Sequence, residues 1–179
     1  AFFFFFPKGA ALAILLRIFI VALGTFKPTW IYLIVAVSIV SMTYGNIVAI
    51  AQRNIKRLLA YSGIAQIGNL LIGLAAGTKM GNDAILFYLL AYLFANLGAF
   101  AVVIAVSQAI GRDEIEDYRG LGRRSPFLAF SMLLFLLSLA GVPPLAGFIG
   151  KLYIFIAAIK EGLYTLITVG LINIVISMY

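Results

Sequence analysis

The sequence predicts an all-α integral membrane protein: a bundle of about six transmembrane helices, one of them broken at Gly141–Pro144. Three observations carry that reading. First, hydrophobic residues fill 64% of the 179 positions and charged residues 11%, whereas a soluble domain is about one quarter charged; mean hydropathy is +1.14. Second, six apolar stretches of roughly 17 residues or more approach the length a helix needs to cross a bilayer. The short alternating strands of a membrane barrel are absent. Third, Leu139–Lys151 reads L-A-G-V-P-P-L-A-G-F-I-G-K, and it interrupts an otherwise uncharged run from Pro126 to Ile159 with three glycines, two prolines and a single lysine.

The first span covers about Phe2–Leu23 and contains Pro7-Lys8, a kink beside an intramembrane lysine. The second, Trp30–Ala51, carries Ser38, Ser41 and Gly45 on one face, a pattern suited to close helix packing. A basic link, Gln52–Arg57, follows. The third, Leu58–Gly77, places Ser62, Gln66, Asn69 and Gly73 on one stripe of a helix, and the fourth, Ala84–Ile110, repeats the device with Tyr88, Tyr92 and Asn96. Each stripe fits two readings: hydrogen bonds between helices, or a hydrated seam. Gly111–Ser125, rich in both charge signs, reads as a solvated loop or short interfacial helix.

The fifth span is the interrupted one. Pro126–Ala140 and the apolar stretch after the break are each too short to cross alone, and together somewhat too long for one straight helix. Two half-helices making one crossing fit both facts. Pro143 and Pro144 lack backbone donors, and the ring of Pro144 opposes the carbonyl of Ala140. Broken backbone at membrane depth is tolerated only beside protein or water. The sixth span, Leu163–Tyr179, carries Asn173 and Ser177 on one face. The chain opens on Ala1 and ends inside an apolar run, so residues 1–179 read as a single membrane-domain fragment of a longer polypeptide.

Composition also excludes. There is no cysteine and no histidine, which removes disulfides, thiol chemistry and thiolate clusters and argues against haem or the usual metal sites. No Walker loop, dinucleotide fingerprint or nucleophile constellation appears. The net charge of +7 does not imply nucleic acid, because the basic residues sit between spans. Arg53, Lys56, Arg57, Arg112, Arg119, Arg123 and Arg124 occupy one set of links; Lys27, Lys79 and Lys160 occupy the other. The richer set belongs in the cytoplasm.

Three lysines are candidate functional groups. Lys151 follows the helix break far from either surface, where an ammonium costs about 2.5–3.5 kcal/mol on insertion scales, so it should face an interior. Gly147, one turn earlier, leaves room for water or a partner. Lys8 either snorkels to the cytoplasmic edge or sits deep, depending on where its span begins. Lys56 serves topology or stands at a cytoplasmic mouth. Arg17 reads as a snorkelling or paired cation, and the aromatic residues as lipid-facing or packed surface.

Three stretches read together define a family resemblance. They are A-F-F-F-F-F-P-K-G-A-A-L-A-I-L-L-R-I-F from Ala1, G-N-I-V-A-I-A-Q-R-N-I-K-R-L-L-A-Y-S-G-I-A-Q-I-G from Gly45, and Asp117–Lys151, from D-Y-R-G-L to the helix break. The chain resembles the antiporter-like membrane subunits of type I NADH-quinone oxidoreductase (respiratory complex I), and the first stretch and D-Y-R-G-L favour the subunit N branch, called subunit 2 in mitochondria. Multisubunit cation/proton antiporters and membrane-bound hydrogenases share the N-I-K-R-L-L-A-Y-S and G-x-P-x-x-x-G-F-x-x-K patterns. The resemblance implies the eighth to thirteenth helices of a fourteen-helix, proton-translocating subunit, coupled to electron transfer from NADH to quinone in a bacterial, archaeal or organellar membrane. It implies proton transfer through Lys8, which links two half-channels, and Lys151, in the half-channel towards the outside, with a less settled part for Lys56. Gln66 stands where relatives often carry histidine, so a titrating group in that span is not expected. The resemblance places flavin and iron–sulfur clusters in partner subunits and none in this chain. Its implied partners are other membrane subunits, lipid and the quinone of the whole complex. The alternatives are a cation/proton antiporter or hydrogenase subunit, or a structural membrane subunit whose lysines only pair with neighbouring helices.

Overall fold

The computed structural model describes residues 10, 11, 13–22 and 27–178. Lys8 lies outside the described residues. Residues 13–17 are helical and pass into a π-helical turn, Ile18–Ala22. Six helices follow that concern the site: α1 (Lys27–Ile50), α2 (Ile55–Ala76), α3 (Lys79–Ile110), α4 (Pro126–Ala140), α5 (Ala146–Lys160) and α6 (Tyr164–Met178). No strand occurs among the described residues. Among the described residues, three helices are individually long and apolar enough to cross a membrane: residues 28–50, 55–76 and 79–110.

Local chemistry sets the boundaries. Asn54 caps α2 by accepting from the backbone N–H groups of Lys56 and Arg57, and Gly77 ends it in a left-handed conformation. Thr78 caps α3 through the N–H of Gly81, and Gly111 closes it. These caps open α2 three residues and α3 five residues before the starts expected from hydropathy alone (Leu58 and Ala84), because polar capping residues are invisible to an apolar count. The Gly111–Ser125 segment forms a 3₁₀ turn at Ile115–Tyr118 and a four-residue helix at Leu121–Arg124.

The interrupted crossing lies along α3. That helix has 32 residues, about 48 Å at 1.5 Å per residue. The two halves, α4 and α5, have 15 residues each, about 45 Å end to end. Their partners keep that order. Phe135 of α4 lies against Gly98 in the later part of α3, while Gly150 of α5 meets Tyr88 in its earlier part. The ammonium of Lys160, at the end of α5, reaches the sulfur of Met80 at 3.5 Å. One crossing in two pieces is therefore the observed architecture.

α1 and α2 pack closely where the sequence places small residues. A Cβ on Gly45 would lie 2.6 Å from the backbone of Ala65, and one on Gly68 would meet the Met42 backbone at 2.8 Å. The Ser38 hydroxyl donates to the Gly68 carbonyl at 2.7 Å. The serine–glycine face of α1 is thus a helix–helix seam. α6 joins the same bundle through Asn173, which receives hydrogen bonds from Asn46 on its carbonyl and its side-chain oxygen.

Candidate proton-transfer site

The break sets the site. α4 ends at Ala140, and Gly141 turns the chain with φ +90°, a conformation that L side chains rarely adopt. The N–H groups of Gly141 and Val142 both return to the Leu137 carbonyl at 3.0 Å. That leaves the last carbonyls of α4 without partners from their own helix. Lys151, on the second turn of α5, folds back to them. Its ammonium donates to Leu139 O at 3.0 Å and to Ala140 O at 2.8 Å.

Electrostatics explains the arrangement. The C-terminus of a helix carries partial negative charge and favours a cation. Hydrogen bonds from a charged donor contribute about 1.5–3 kcal/mol each, enough for two of them to offset the insertion cost of about 2.5–3.5 kcal/mol. Lys151 is 3% exposed, and among the described residues no carboxylate pairs with it. A buried ammonium held by neutral carbonyls leaves no uncompensated anion when it loses its proton.

The polar stripe of α2 meets the same carbonyl. The Gln66 amide donates to Leu139 O at 2.9 Å. Its side-chain oxygen accepts from Asn69 at 3.2 Å and from the hydroxyl of Tyr88 on α3. Further along α3, Asn96 donates to the Tyr92 hydroxyl at 2.7 Å. The side-chain oxygens of Asn69 and Asn96 are buried without a hydrogen-bond partner among the described residues. The stripe of α2 therefore does the first of the two things considered, since Gln66 bonds its helix to α4 and to α3. Gln66 is the twelfth of 22 residues in α2, so Lys151 and Gln66 sit near mid-membrane.

Gly147 has a different role from the room for water expected of it. A Cβ there would lie 1.8 Å from the Ser138 carbonyl oxygen. Backbone of α4 fills the space, and the glycine lets the two half-helices overlap. The gap bounded by Tyr88, Tyr92, Ser138 and Gly147 is too narrow for water.

Lys56 lies elsewhere, on the first turn of α2. Its ammonium contacts Asp113 at 2.7 Å and Ser107 at 3.4 Å, with side chains 41% and 27% exposed for the lysine and aspartate. The hydrogen bond from Lys56 holds the Asp113 carboxyl below the usual carboxylate range. Backbone bonds from Ile55 N to Asp113 O and from Ile115 N to Arg53 O fasten the loop to the start of α2. Arg17 is exposed.

Composition missed two parts of this site. The acceptors for Lys151 are backbone carbonyls, which carry no residue signature, although two prolines and a glycine announce that carbonyls go unpaired. Asp113 gave no sign of its partner, being one of several acids in a mixed loop.

A helical bundle with one crossing broken around a buried lysine defines a polytopic α-helical membrane protein. The sequence profile described as "NADH:quinone oxidoreductase/Mrp antiporter, TM" matches residues 1–177, and the chain belongs to that family. It is 47% identical to NAD(P)H-quinone oxidoreductase subunit 2 of Microcystis aeruginosa over 172 residues, covering 96% of this chain and 34% of that protein. Against the Acaryochloris marina protein of the same name it is 49% identical, covering 96% and 33%. Among solved structures it resembles a chain of respiratory complex I from Thermus thermophilus, with TM-score 0.71, 36% identity, and coverage of 82% and 33%. A chain of the Mrp complex from a Dietzia species gives TM-score 0.85 at 26% identity, covering 93% and 31%. The chain spans about a third of the length of the curated relatives it matches.

Proposed function

We propose that this chain is part of a proton-translocating membrane subunit of an NADH- or NAD(P)H-quinone oxidoreductase, and that Lys151 holds and releases the proton. The observation that carries the proposal is the buried Lys151 ammonium, bound by carbonyls of a broken helix and by no carboxylate among the described residues. A lysine so placed can lose its charge in place, and approach of an anion or of water would favour regaining it. Lys8 is proposed as the second carrier, on the strength of the family pattern. Lys56 is proposed to stand at the cytoplasmic mouth, consistent with its contact with Asp113.

Residues 1–179 act as one membrane domain in this reading, in a bacterial membrane as the cyanobacterial relatives suggest. Other membrane subunits adjoin it, lipid surrounds it, and the whole complex binds the quinone. Flavin and iron–sulfur clusters belong to partner subunits. The likeness to the Mrp complex supports a second reading, a cation/proton antiporter subunit. Purification of the tagged full-length protein separates the two. Copurifying peripheral redox subunits, with quinone-dependent proton uptake, support the first; copurifying antiporter subunits and no quinone reduction overturn it.

A further inference from the structure

We infer that Gln66 is a positioning residue that separates a cavity in the cytoplasmic half of the bundle from the ammonium of Lys151. The inference rests on the proposed proton-carrying role of Lys151. A cavity of about 450 Å³ lies between α1, α2, α4 and α6. Gln52 and Ile115 line one end of it, in the two links whose basic residues place them in the cytoplasm. From there Ser62 and Gln66, one turn apart on α2, lead inwards. The depth from Ile55 to Gln66 is about 16 Å at 1.5 Å per residue, half of a hydrocarbon core about 30 Å thick.

The inner end is formed by Gln66, Leu139 and Ala140. The carbonyls of those last two residues are the ones that Lys151 grips. Cavity and ammonium are thus separated by two peptide units and one amide side chain. Gln66 holds that partition shut: its amide pins Leu139 O, and its own oxygen is held by Tyr88 and Asn69. The path along α3 is blocked, since the gap at Tyr88, Tyr92, Ser138 and Gly147 is too narrow for water. Rotation of the Gln66 side chain away from Leu139 would open the shortest route from the cavity to Lys151. This gives the site access to the cytoplasmic side as well as to the outward half-channel expected from the family pattern, with a glutamine setting when the inner connection is made.

Cysteine accessibility tests this without reading proton pumping. The 179 residues contain no native cysteine. The full-length protein in its complex is examined in inside-out vesicles with a hydrophilic methanethiosulfonate, labelling of this subunit being read by mass spectrometry. Ser62→Cys should react from the cytoplasmic side, and Lys151→Cys should react slowly. Adding Gln66→Ala should raise the Lys151→Cys rate about tenfold, because the hydrogen bonds holding the partition are gone. If Gln66→Ala does not assemble, Gln66→Asn, whose shorter amide cannot span the same gap, should raise it too. An unreactive Ser62→Cys, or a Lys151→Cys rate indifferent to both changes at Gln66, overturns the inference. Either result leaves the carrier role of Lys151 to its own test by translocation.

Discussion

Lys151 and Lys56 are the same side chain put to opposite uses. Lys56 stands at a helix start, partly exposed, facing the carboxylate of Asp113 at 2.7 Å in a loop that backbone hydrogen bonds fasten down. Lys151 is almost wholly buried, and among the described residues only neutral carbonyls hold it. An ion pair couples a cation to a fixed anion. Carbonyl coordination does not, and the C-terminal end of a half-helix supports the cation without demanding it. The proposed carrier role of Lys151 rests on what it lacks beside it as much as on burial.

The largest effect expected from this contrast is on translocation. Lys151→Ala should lower proton uptake at equal assembly by about a hundredfold, the low end of what is lost when a proton-transfer group is removed. Proton uptake by reconstituted complex measures it, and wild-type uptake would place the proton path elsewhere.

Next comes packing around the break against packing in the loop. Gly147→Ala forces a Cβ onto the Ser138 carbonyl and should cost about 1–3 kcal/mol as overpacking, seen as less assembled complex on native gels and a lower melting temperature. Gly122→Ala, where a Cβ meets nothing within 4 Å, should assemble normally. Equal assembly of the two would mean that the half-helices do not overlap as described.

A smaller effect is expected at Tyr88. Tyr88→Phe removes one hydrogen bond to Gln66 while keeping the ring, and should slow translocation by about two- to fivefold with assembly intact. An unchanged rate would detach the α3 stripe from the site.

The smallest effects belong to the clamp. Asp113→Asn should lower stability only slightly, since partly exposed pairs contribute little. The sign of the pH dependence follows from the depressed Asp113 carboxyl. Its contribution is complete above the unfolded carboxylate pKa of about 3.9 and is lost as pH falls through the lower folded value. The small decrease in melting temperature caused by Asp113→Asn should therefore be the same at every pH between 6 and 8. A pH-dependent difference in that window would contradict the assignment.

The parts of this fold and site that the sequence revealed are those that side chains announce. Apolar runs located the spans, two prolines after Gly141 located the break, and the period of Ser62, Gln66 and Asn69 marked a face that proves to be directed at the site. The rest depends on backbone and on distance. Leu139 and Ala140 act through their carbonyls, and their apolar side chains gave no hint. Gly147 looked like open space because sequence shows a missing side chain and not the Ser138 carbonyl that occupies the gap. Asn46, paired with Asn173 across 127 positions, belonged to no stripe.

Lys151 can carry protons only if it loses its charge in place. The direct measurement is quinone reduction and proton uptake by Lys151→Arg in proteoliposomes, at an assembly level matched to wild type. A guanidinium can still donate to the carbonyls of Leu139 and Ala140, but it stays protonated at any physiological pH. Quinone reduction with proton uptake lowered towards that of Lys151→Ala is the predicted result. Wild-type uptake by the arginine variant would make Lys151 a structural cation and contradict the account.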